Sequence, residues 1–382
     1  MSMKEKRPMG MYVHIPFCSR KCDYCDFVSY SMDEEAQKAY LDALFIEIDN
    51  VKSNFYKETF DTLYIGGGTP SIVFPGFIYE LTRKLFSSFH FADKAEITIE
   101  INPESFTKNK LLEYIDAGIN RISVGVQCVD TKLLADQGRI QSMKNIDNTF
   151  EILKEGGFDN VSGDVLIGLP KQSIEAILDT IYYLVDNKVR HISTYTLQVE
   201  KHTMLYDKIK RGKVKLPKDS KVVEMYNVIN KVLTEEGYIR YEVSNYARPG
   251  YKSQHNQKYW DEVNYLGLGC SAHSFIDGYR YHNTNRLDNY IADLNEGKKP
   301  IFVKEYVPKE DKRIERLMLS LRTVQGLDLN KFELDFNENI LLSKAEPIKK
   351  LKDQGLIIIE DSHLKIAPHA FNVANAIIVE LM

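Results

Sequence analysis

Short apolar stretches alternate with amphipathic ones over the first 200 residues of the chain. Six stretches are rich in Val, Ile, Tyr and Thr and are bounded by Gly, Pro, Asn or Asp, which is typical of β-strands. These predicted strands are residues 11–15, 61–65, 95–101, 121–126, 160–167 and 190–197. Apolar residues at helical spacing lie between them, and Ser31-Met32-Asp33-Glu34 resembles a capping box before the first helix.

Strands that alternate with helices predict an α/β fold in which the strands are parallel and the crossovers are right-handed. Six such strands fit a partial (β/α)6 barrel. A doubly wound sheet fits the periodicity nearly as well, because it repeats the same strand–helix unit. The pattern alone leaves these two architectures open.

The pattern changes after about residue 205. A helix is predicted over about 218–236, and residues 238–285 are rich in Tyr, Asn and Gly, which indicates strands and loops. We therefore divide the chain into a barrel core (1–205), an extension of the barrel (206–295) and a C-terminal accessory domain (296–382).

The accessory domain is predicted to be small, helical and winged-helix-like. A charged connection at 296–312 leads into it, and a hairpin is predicted over 356–366 around Asp361-Ser362. Helical patterns flank the hairpin at 317–321, 341–354 and 371–381.

Composition narrows the class of protein. The 382 residues are 43% hydrophobic and 27% charged, which is ordinary for a globular protein and excludes a disordered, collagen-like or coiled-coil chain. Fifty Lys and Arg stand against 54 Asp and Glu, so no basic surplus predicts a nucleic-acid partner. No apolar run reaches the roughly 18 residues of a membrane helix, and the N-terminus lacks a signal-peptide pattern. We expect a cytoplasmic protein that reaches membranes only through partners.

Three of the five cysteines form a Cys-x3-Cys-x2-Cys cluster, Cys18, Cys22 and Cys25, directly after the first predicted strand. An odd number of cysteines in a long chain argues against a secreted disulfide framework. Thiolates suit zinc or iron–sulfur clusters, but structural zinc takes four ligands, and no second cysteine pair exists. Three thiolates suit a four-iron cluster with one iron open to a ligand. Three buried thiols, or zinc with a distant fourth ligand, remain the alternatives.

Polar and glycine residues follow the later predicted strands. Gly66-Gly67-Gly68-Thr69 follows the second strand, Glu100 the third and Gln127 the fourth, while Asp164 lies in the fifth and Tyr195 in the sixth. Ligand sites of parallel β/α folds gather at the carboxyl ends of the strands, so these residues predict one common site. Taken singly, the glycines fit a tight turn and Glu100 fits a helix cap.

The cysteine motif and the preceding Tyr-Val-His-Ile-Pro-Phe at 12–17 resemble the radical S-adenosylmethionine (SAM) superfamily, in its coproporphyrinogen-oxidase-like branch. This resemblance implies a radical SAM barrel in which Cys18, Cys22 and Cys25 hold a [4Fe–4S] cluster and SAM chelates its fourth iron. It implies a low-potential electron donor, a flavodoxin or ferredoxin, and a homodimer. The SAM contacts that it implies are Tyr12, Tyr24 through its backbone, Gly67, Gly68, Thr69, Glu100, Gln127, Arg139 and Asp164.

Two functions occur in this branch. The first is oxygen-independent coproporphyrinogen III dehydrogenase, an enzyme that decarboxylates propionates through a 5′-deoxyadenosyl radical. The second is a heme chaperone, which transfers heme to client hemoproteins such as respiratory proteins. Phe27 stands where the dehydrogenase carries a further cysteine, only 17 residues precede Cys18, and residues 255–260 read His-Asn-x-x-Tyr-Trp, as in the chaperone group. The resemblance therefore favours the chaperone, and we assign no catalytic residue.

Histidines are the candidate heme ligands, because imidazole is a common axial ligand of heme iron. His255 is the first candidate and His273 a weaker one. The alternative for His255 is a histidine that organises its own loop by hydrogen bonding. The chain also departs from the family pattern at Gln141, where His is usual, and at Cys128, where Ser is common.

Overall fold

A computed structural model describes residues 7–382, so the first six residues of the predicted barrel core and of the N-terminal segment lie outside the described part. The strands are β1 (Met9–Ile15), β2 (Thr59–Gly67), β3 (His90–Ile101), β4 (Arg121–Gln127), β5 (Val161–Ile167), β6 (His191–Thr196), β7 (Ile239–Arg240), β8 (Asn245–Ala247), β9 (Tyr265–Leu268), β10 (His273–Ile276), β11 (Tyr279–Asn283), β12 (Ile301–Tyr306), β13 (Leu327–Asp328), β14 (Ile357–Glu360) and β15 (His363–Ile366).

The α-helices alternate with the first six strands and continue to the C-terminus. They are α1 (Glu34–Val51), α2 (Phe77–Ser88), α3 (Lys108–Asp116), α4 (Thr131–Ala135), α5 (Met143–Glu155), α6 (Ile174–Asp186), α7 (Met204–Lys210), α8 (Asp219–Glu235), α9 (Gln254–Trp260), α10 (Leu287–Asn295), α11 (Lys309–Ser320), α12 (Leu329–Phe336), α13 (Ile340–Ser343), α14 (Ala345–Asp353) and α15 (Ala374–Leu381). Short 3₁₀ helices lie at Lys52–Phe55, Pro70–Ile72 and Pro368–Val373.

One sheet of twelve strands dominates the described residues, in the order β12-β11-β10-β9-β1-β2-β3-β4-β5-β6-β8-β7. Strands β1 to β6 are neighbours in chain order, and all of their pairings are parallel. A doubly wound sheet reverses its strand order at a switch point, and this sheet does not. The partial (β/α)6 barrel is therefore confirmed, and all six predicted strands are present.

The first helix begins differently from the prediction. The predicted capping box at Ser31 is wrong, because Asp33 is the N-cap of α1 and its carboxylate accepts a hydrogen bond of 2.9 Å from the backbone N–H of Ala36. The carboxylate lies one residue before the helix, which also places its negative charge at the positive end of the helix dipole.

The predicted extension of the barrel covers both edges of the parallel strands. Strand β9 pairs in parallel with β1, and β8 pairs antiparallel with β6. Met225, Tyr246, Leu266 and Tyr290 from this region join the same apolar core as the strands and helices before them. The extension therefore completes the barrel's hydrophobic core.

The C-terminal region has a separate apolar core and a three-stranded sheet of order β13-β15-β14. Its elements follow in the order helix α11, strand β13, the three helices α12 to α14, the hairpin of β14 and β15, and helix α15, so the region is small and mainly helical. The predicted hairpin is confirmed, and Asp361 and Ser362 form its turn with φ of 50° and 60°. Two positive φ angles match the twist of the flanking strands.

The charged connection predicted at 296–312 is wrong in part. Strand β12 lies inside it and pairs antiparallel with β11, and α11 begins at Lys309. All six residues of β12 are exposed, so the strand lacks the alternation of apolar and polar residues that marks a half-buried strand. Among the described residues, no helix is long and apolar enough to cross a membrane.

Candidate cofactor site at the rim of the barrel

A cavity of about 510 Å³ lies at the carboxyl ends of the parallel strands. The sequence predicted that the strand-end residues would meet there. The predicted site residues that line it are Cys18, Cys22, Tyr24, Cys25, Gly67, Gly68, Thr69, Glu100, Gln127, Arg139 and Asp164. Tyr195, also predicted at this rim, lines it as well.

The loop that carries the three cysteines is held from two sides. The Cys18 N–H donates to the Tyr30 carbonyl at 3.0 Å, which closes the loop on itself. Asp23 fixes the middle, since its N–H donates to the Gln137 carbonyl at 2.9 Å and its carboxylate pairs with Lys208. All three thiols are free and partly exposed. The loop is therefore positioned by the protein itself.

The thiols suit an iron–sulfur cluster by their donor type. Cys18, Cys22 and Cys25 line one cavity, and thiolates are the soft ligands that such clusters take. Among the described residues, no group of three His, Cys, Asp or Glu side chains is arranged to hold a metal ion. Burial raises the pKa of the Cys22 and Cys25 thiols, while the Arg139 guanidinium lowers that of Cys22. The thiolate of Cys22 thus has a cationic partner.

The glycine turn after β2 packs tightly against the start of the cysteine loop. A Cβ on Gly67 would lie 2.6 Å from the His14 ring, and one on Gly68 would lie 2.5 Å from the Phe17 carbonyl oxygen. Gly67 also has a φ of 118°, which disfavours residues with a side chain. The tight-turn interpretation therefore holds, and the turn also borders the cavity.

Two carboxyl groups face the cavity, Glu100 from β3 and Asp164 from β5, with β4 between them. Glu100 accepts hydrogen bonds from the Tyr64 hydroxyl at 2.8 Å and from the Gly67 N–H at 3.1 Å. Asp164 accepts from the Ser123 hydroxyl at 3.2 Å. Burial raises the pKa of Glu100 to about 7 and that of Asp164 to about 6. Both groups can accept hydrogen bonds from hydroxyls, and a cation bound in the cavity would favour their ionised forms.

Arg139 is buried and its guanidinium is held by hydrogen bonds, so this residue is not a solvated surface charge. Its guanidinium donates to the Asn102 amide oxygen at 2.8 Å, to the Gly125 carbonyl at 2.6 Å and to the Gln141 amide oxygen at 2.9 Å. Asn102 in turn donates to the Thr69 hydroxyl at 3.0 Å, and that hydroxyl lies 3.4 Å from the Cys18 sulfur. A continuous polar chain thus connects Gln141 to the cysteine loop.

Asn102 and Gln141 are site residues that the sequence analysis missed. Asn102 follows Glu100 at the end of β3, so its place at a strand end was a usable signal. The one sequence signal at Gln141 is a departure from the family pattern, which usually has His at this position. Its amide also donates to the Val126 carbonyl at 2.5 Å, so both of its polar atoms are used.

A polar group in the cavity wall has no partner among the described residues. A carboxylate oxygen of Glu104 is buried and makes no hydrogen bond there. Buried polar groups are normally paired, so this oxygen indicates a missing ligand or water. Gln127 adds a strained backbone, with a φ of 64° where the β4–β5 pairing is irregular. Such strain collects at ligand sites.

Tyr12 and His255 do not line the cavity. Tyr12 stacks on Tyr64 with ring centroids 6.2 Å apart, and its hydroxyl lies 2.9 Å from Nδ1 of His14. His255 is only 1% exposed, and its ring nitrogens lie 2.8 Å from the hydroxyls of Thr62 and Tyr259. Burial lowers its pKa to about 3. This arrangement is the one expected of a histidine that organises its own segment.

His255 lies at the opposite end of the barrel from the cysteines. Glu96, early in the buried part of β3, accepts the backbone N–H groups of Gln254 and His255 at 3.0 Å. A Cβ on Gly10, near the start of β1, would lie 3.3 Å from the His255 ring. Helix α9 therefore closes the amino-terminal end of the strands, where β/α barrels place residues for stability.

Comparisons with known proteins agree with this geometry. Residues 12–184 match the radical SAM superfamily, and residues 307–372 match the HemN C-terminal domain. The heme chaperone HemW of Lactococcus lactis is 32% identical over 370 residues, covering 97% of this chain and 96% of that protein. The heme chaperone HemW of Bacillus subtilis is 32% identical over 351 residues, covering 91% and 92%.

A solved structure has the same fold. Coproporphyrinogen III oxidase (HemN) of Escherichia coli, described as a radical SAM enzyme, matches with a TM-score of 0.85. The match covers 98% of this chain and 90% of that one at 24% sequence identity, so it speaks for the fold alone. The superfamily implies a [4Fe–4S] cluster and SAM. This chain belongs to the radical SAM superfamily and, within it, to the HemW family.

Proposed function

We propose that this protein is a heme chaperone, which binds heme and transfers it to client hemoproteins, including respiratory ones. The observation that carries the proposal is the resemblance to proteins named as heme chaperones over nearly the whole chain. Phe27 adds to it, because this residue lines the cavity, is 64% exposed, and stands where the dehydrogenase carries a cysteine.

The rim cavity would hold the cluster and SAM. Cys18, Cys22 and Cys25 are the proposed cluster ligands, and their soft donor set and their position in one cavity support this assignment. When bound, the cluster supplies an electron at low potential, and SAM completes the coordination of its fourth iron. The proposed SAM contacts that line the cavity are Tyr24, Gly67, Gly68, Thr69, Glu100, Gln127, Arg139 and Asp164.

Each of these side chains has a role that its present contacts support. Arg139 would orient a carboxylate or keep the Cys22 thiol ionised, and Asn102 and Gln141 hold its guanidinium in place. Glu100 and Asp164 would accept hydrogen bonds from hydroxyl or ammonium groups of SAM. The two carboxyl groups would release their protons as SAM binds. Tyr12 would support the SAM site indirectly, through its contacts with Tyr64 and His14.

The partners are part of the same proposal. A flavodoxin or ferredoxin would reduce the cluster, and cluster loading would favour a homodimer. The five free cysteines suit the reducing cytoplasm. Contact with a membrane would come only through partners.

The test separates the chaperone from the dehydrogenase. The full chain is loaded with its cluster without oxygen and given SAM, a reductant and coproporphyrinogen III, and the products are followed by chromatography. In parallel, the heme-loaded protein is mixed with an apo-cytochrome b domain, and the absorbance of the acceptor is followed. We expect heme transfer and no protoporphyrinogen.

Two controls make the result decisive. Free heme at the same concentration gives the rate of transfer without the protein. The Cys22→Ala variant shows whether transfer needs the cluster site, and Cys270→Ala controls for the loss of a thiol, because Cys270 lies in the apolar core. Steady turnover of coproporphyrinogen III would overturn the proposal, and so would transfer no faster than from free heme.

A further inference from the structure

Two histidines face each other on neighbouring strands outside the cavity. His273 on β10 and His282 on β11 are directly opposite in the antiparallel register, with ring centroids 4.8 Å apart and ring planes 28° apart. The Phe302 ring lies 5.7 Å from the His282 ring, and Phe302 is 72% exposed. Three rings thus form one accessible aromatic cluster, the His273–His282–Phe302 cluster.

Nε2 of His282 is free to bind a metal. Nδ1 of His282 lies 3.0 Å from the Asn283 carbonyl oxygen, which fixes the proton on Nδ1 and leaves the lone pair on Nε2. Metal-binding histidines commonly show this pattern, with the second nitrogen held by a backbone carbonyl. His273 is exposed, and no hydrogen bond from another described residue reaches its ring. His255, by contrast, has both ring nitrogens hydrogen-bonded.

One strand, β9, separates the His273 strand from β1, which leads into the cysteine loop. Strand β9 pairs with β1, and a Cβ on Gly267 of β9 would collide with the His273 backbone. The pKa of His14 is lowered to about 4, chiefly by burial and in part by the charge of His273, and Gly269, directly after β9, lies beside the His14 backbone. His14 in turn lies against Gly67 of the cavity turn. A ligand on the histidine pair would therefore lie close to the rim cavity.

We propose that heme binds at the His273–His282–Phe302 cluster, with its iron on Nε2 of His282 and its porphyrin against the edges of the His273 and Phe302 rings. This inference rests on the proposed function and names the site for its cargo. A flat apolar ligand gains from contact with exposed aromatic surface. One axial histidine on an open face also leaves the other side of the iron available to an accepting protein.

The experiment is a heme titration of the full-length protein followed by its absorbance spectrum. We expect His282→Ala to remove the spectrum of histidine-ligated heme and to weaken binding at least tenfold. Phe302→Ala and His273→Ala should weaken binding about three- to fivefold with the ligand spectrum retained. Added imidazole should restore the spectrum of the His282→Ala variant. His369→Ala, which removes an exposed histidine of the C-terminal region, should bind like the unaltered protein.

A second measurement avoids any variant that fails to fold. The unaltered protein is treated with diethyl pyrocarbonate with and without heme, and the modified histidines are mapped by mass spectrometry. We expect heme to protect His282 and to leave His369 unprotected. If the unaltered protein binds no heme, the proposed function fails. If it binds heme while His282→Ala keeps the same spectrum, or His282 gains no protection, the function stands and this site is wrong.

Discussion

The two ends of the barrel differ in the state of their candidate ligand groups. At the carboxyl ends of the strands, the cysteine thiols are partly exposed, and one Glu104 oxygen has no partner among the described residues. At the other end, His255 is buried and both of its ring nitrogens lie at hydrogen-bond distance from hydroxyls. The candidate ligands at the rim thus remain available, whereas the candidate ligand at the closed end is already paired.

This difference teaches how to separate ligand sites from structural sites. A buried polar group costs free energy unless it is paired, so unpaired groups persist where a ligand supplies the partner. A buried histidine whose ring nitrogens are both hydrogen-bonded has no free nitrogen with which to bind an iron atom. Pairing in the folded chain, more than residue type, therefore distinguishes the rim from the closed end.

The largest expected effect tests the rim. Cys22→Ala removes one of the three proposed cluster ligands, and we expect almost complete loss of bound iron and sulfide after reconstitution, because two thiolates hold a four-iron cluster poorly. Iron analysis and the visible absorbance of the cluster measure it. Cys270→Ala, which removes a buried thiol of the apolar core, should keep its iron. Equal iron in both variants would contradict the assignment of the rim.

The next effect tests the closed end. His255→Ala leaves the Thr62 and Tyr259 hydroxyls unpaired, so we expect the free energy of unfolding to fall by about 2–4 kcal/mol. Denaturant unfolding measures this change. Cluster loading of the folded variant should stay normal, since His255 does not line the cavity. His369→Ala is the matched control, because that histidine is exposed. A stable His255→Ala variant that loads no cluster would reverse the comparison.

A pH dependence sharpens the picture of the rim. Burial raises the pKa of Glu100 from 4.5 to about 7, so the folded chain holds this proton more tightly than the unfolded chain does. The resulting stabilisation is full below pH 4.5 and is lost as the pH rises through about 7. We expect Glu100→Gln to remove a decline of about 3 kcal/mol over this range in the protein without SAM.

Thermal unfolding at several pH values measures this decline. Glu151→Gln is the control, because Glu151 is exposed on α5. The same slope in the Glu100→Gln variant and the unaltered protein would show that Glu100 is not the group responsible.

The smallest effect concerns the support of Arg139. Gln141→Ala removes the acceptor for one guanidinium N–H, and we expect SAM to bind about tenfold more weakly to the cluster-loaded protein. Gln141→His keeps an acceptor nitrogen and should recover most of the affinity. Calorimetric titration with SAM measures both, with Gln354→Ala on the exposed surface of the C-terminal region as control. A Gln141→Ala variant with unaltered SAM affinity would leave Gln141 without a role in the site.

The sequence predicted most of the barrel because its signals are local. Six strands with β-rich composition and a helix pattern between them are properties of neighbouring residues, and the structure contains all six. The gathering of Cys18, Glu100 and Asp164 around one cavity also followed, since parallel strands bring their carboxyl ends together. Their roles toward the cluster and SAM stay predictions.

What the sequence missed depends on distant contacts. His255 is already hydrogen-bonded, and its partners Thr62 and Glu96 lie about 190 and 160 residues away along the chain. The exposed strand β12 has no buried face to give it a pattern. The stacking of His273 on His282 depends on the register of β10 and β11, which the spacing of two histidines does not reveal.

The pairing of β9 with β1 has a consequence for the timing of assembly. Gly10 lies opposite Tyr265, so the first strand of the sheet acquires its second neighbour from a segment made 255 residues later. At a synthesis rate of about 5–20 residues per second, that delay is on the order of tens of seconds. Until then the edge of β1 that pairs with β9 is unpaired, and the cysteine loop follows a strand that has only one neighbour. The cysteine loop therefore leaves the ribosome before the sheet beside it is complete, and we expect any cluster to be loaded only after synthesis has ended.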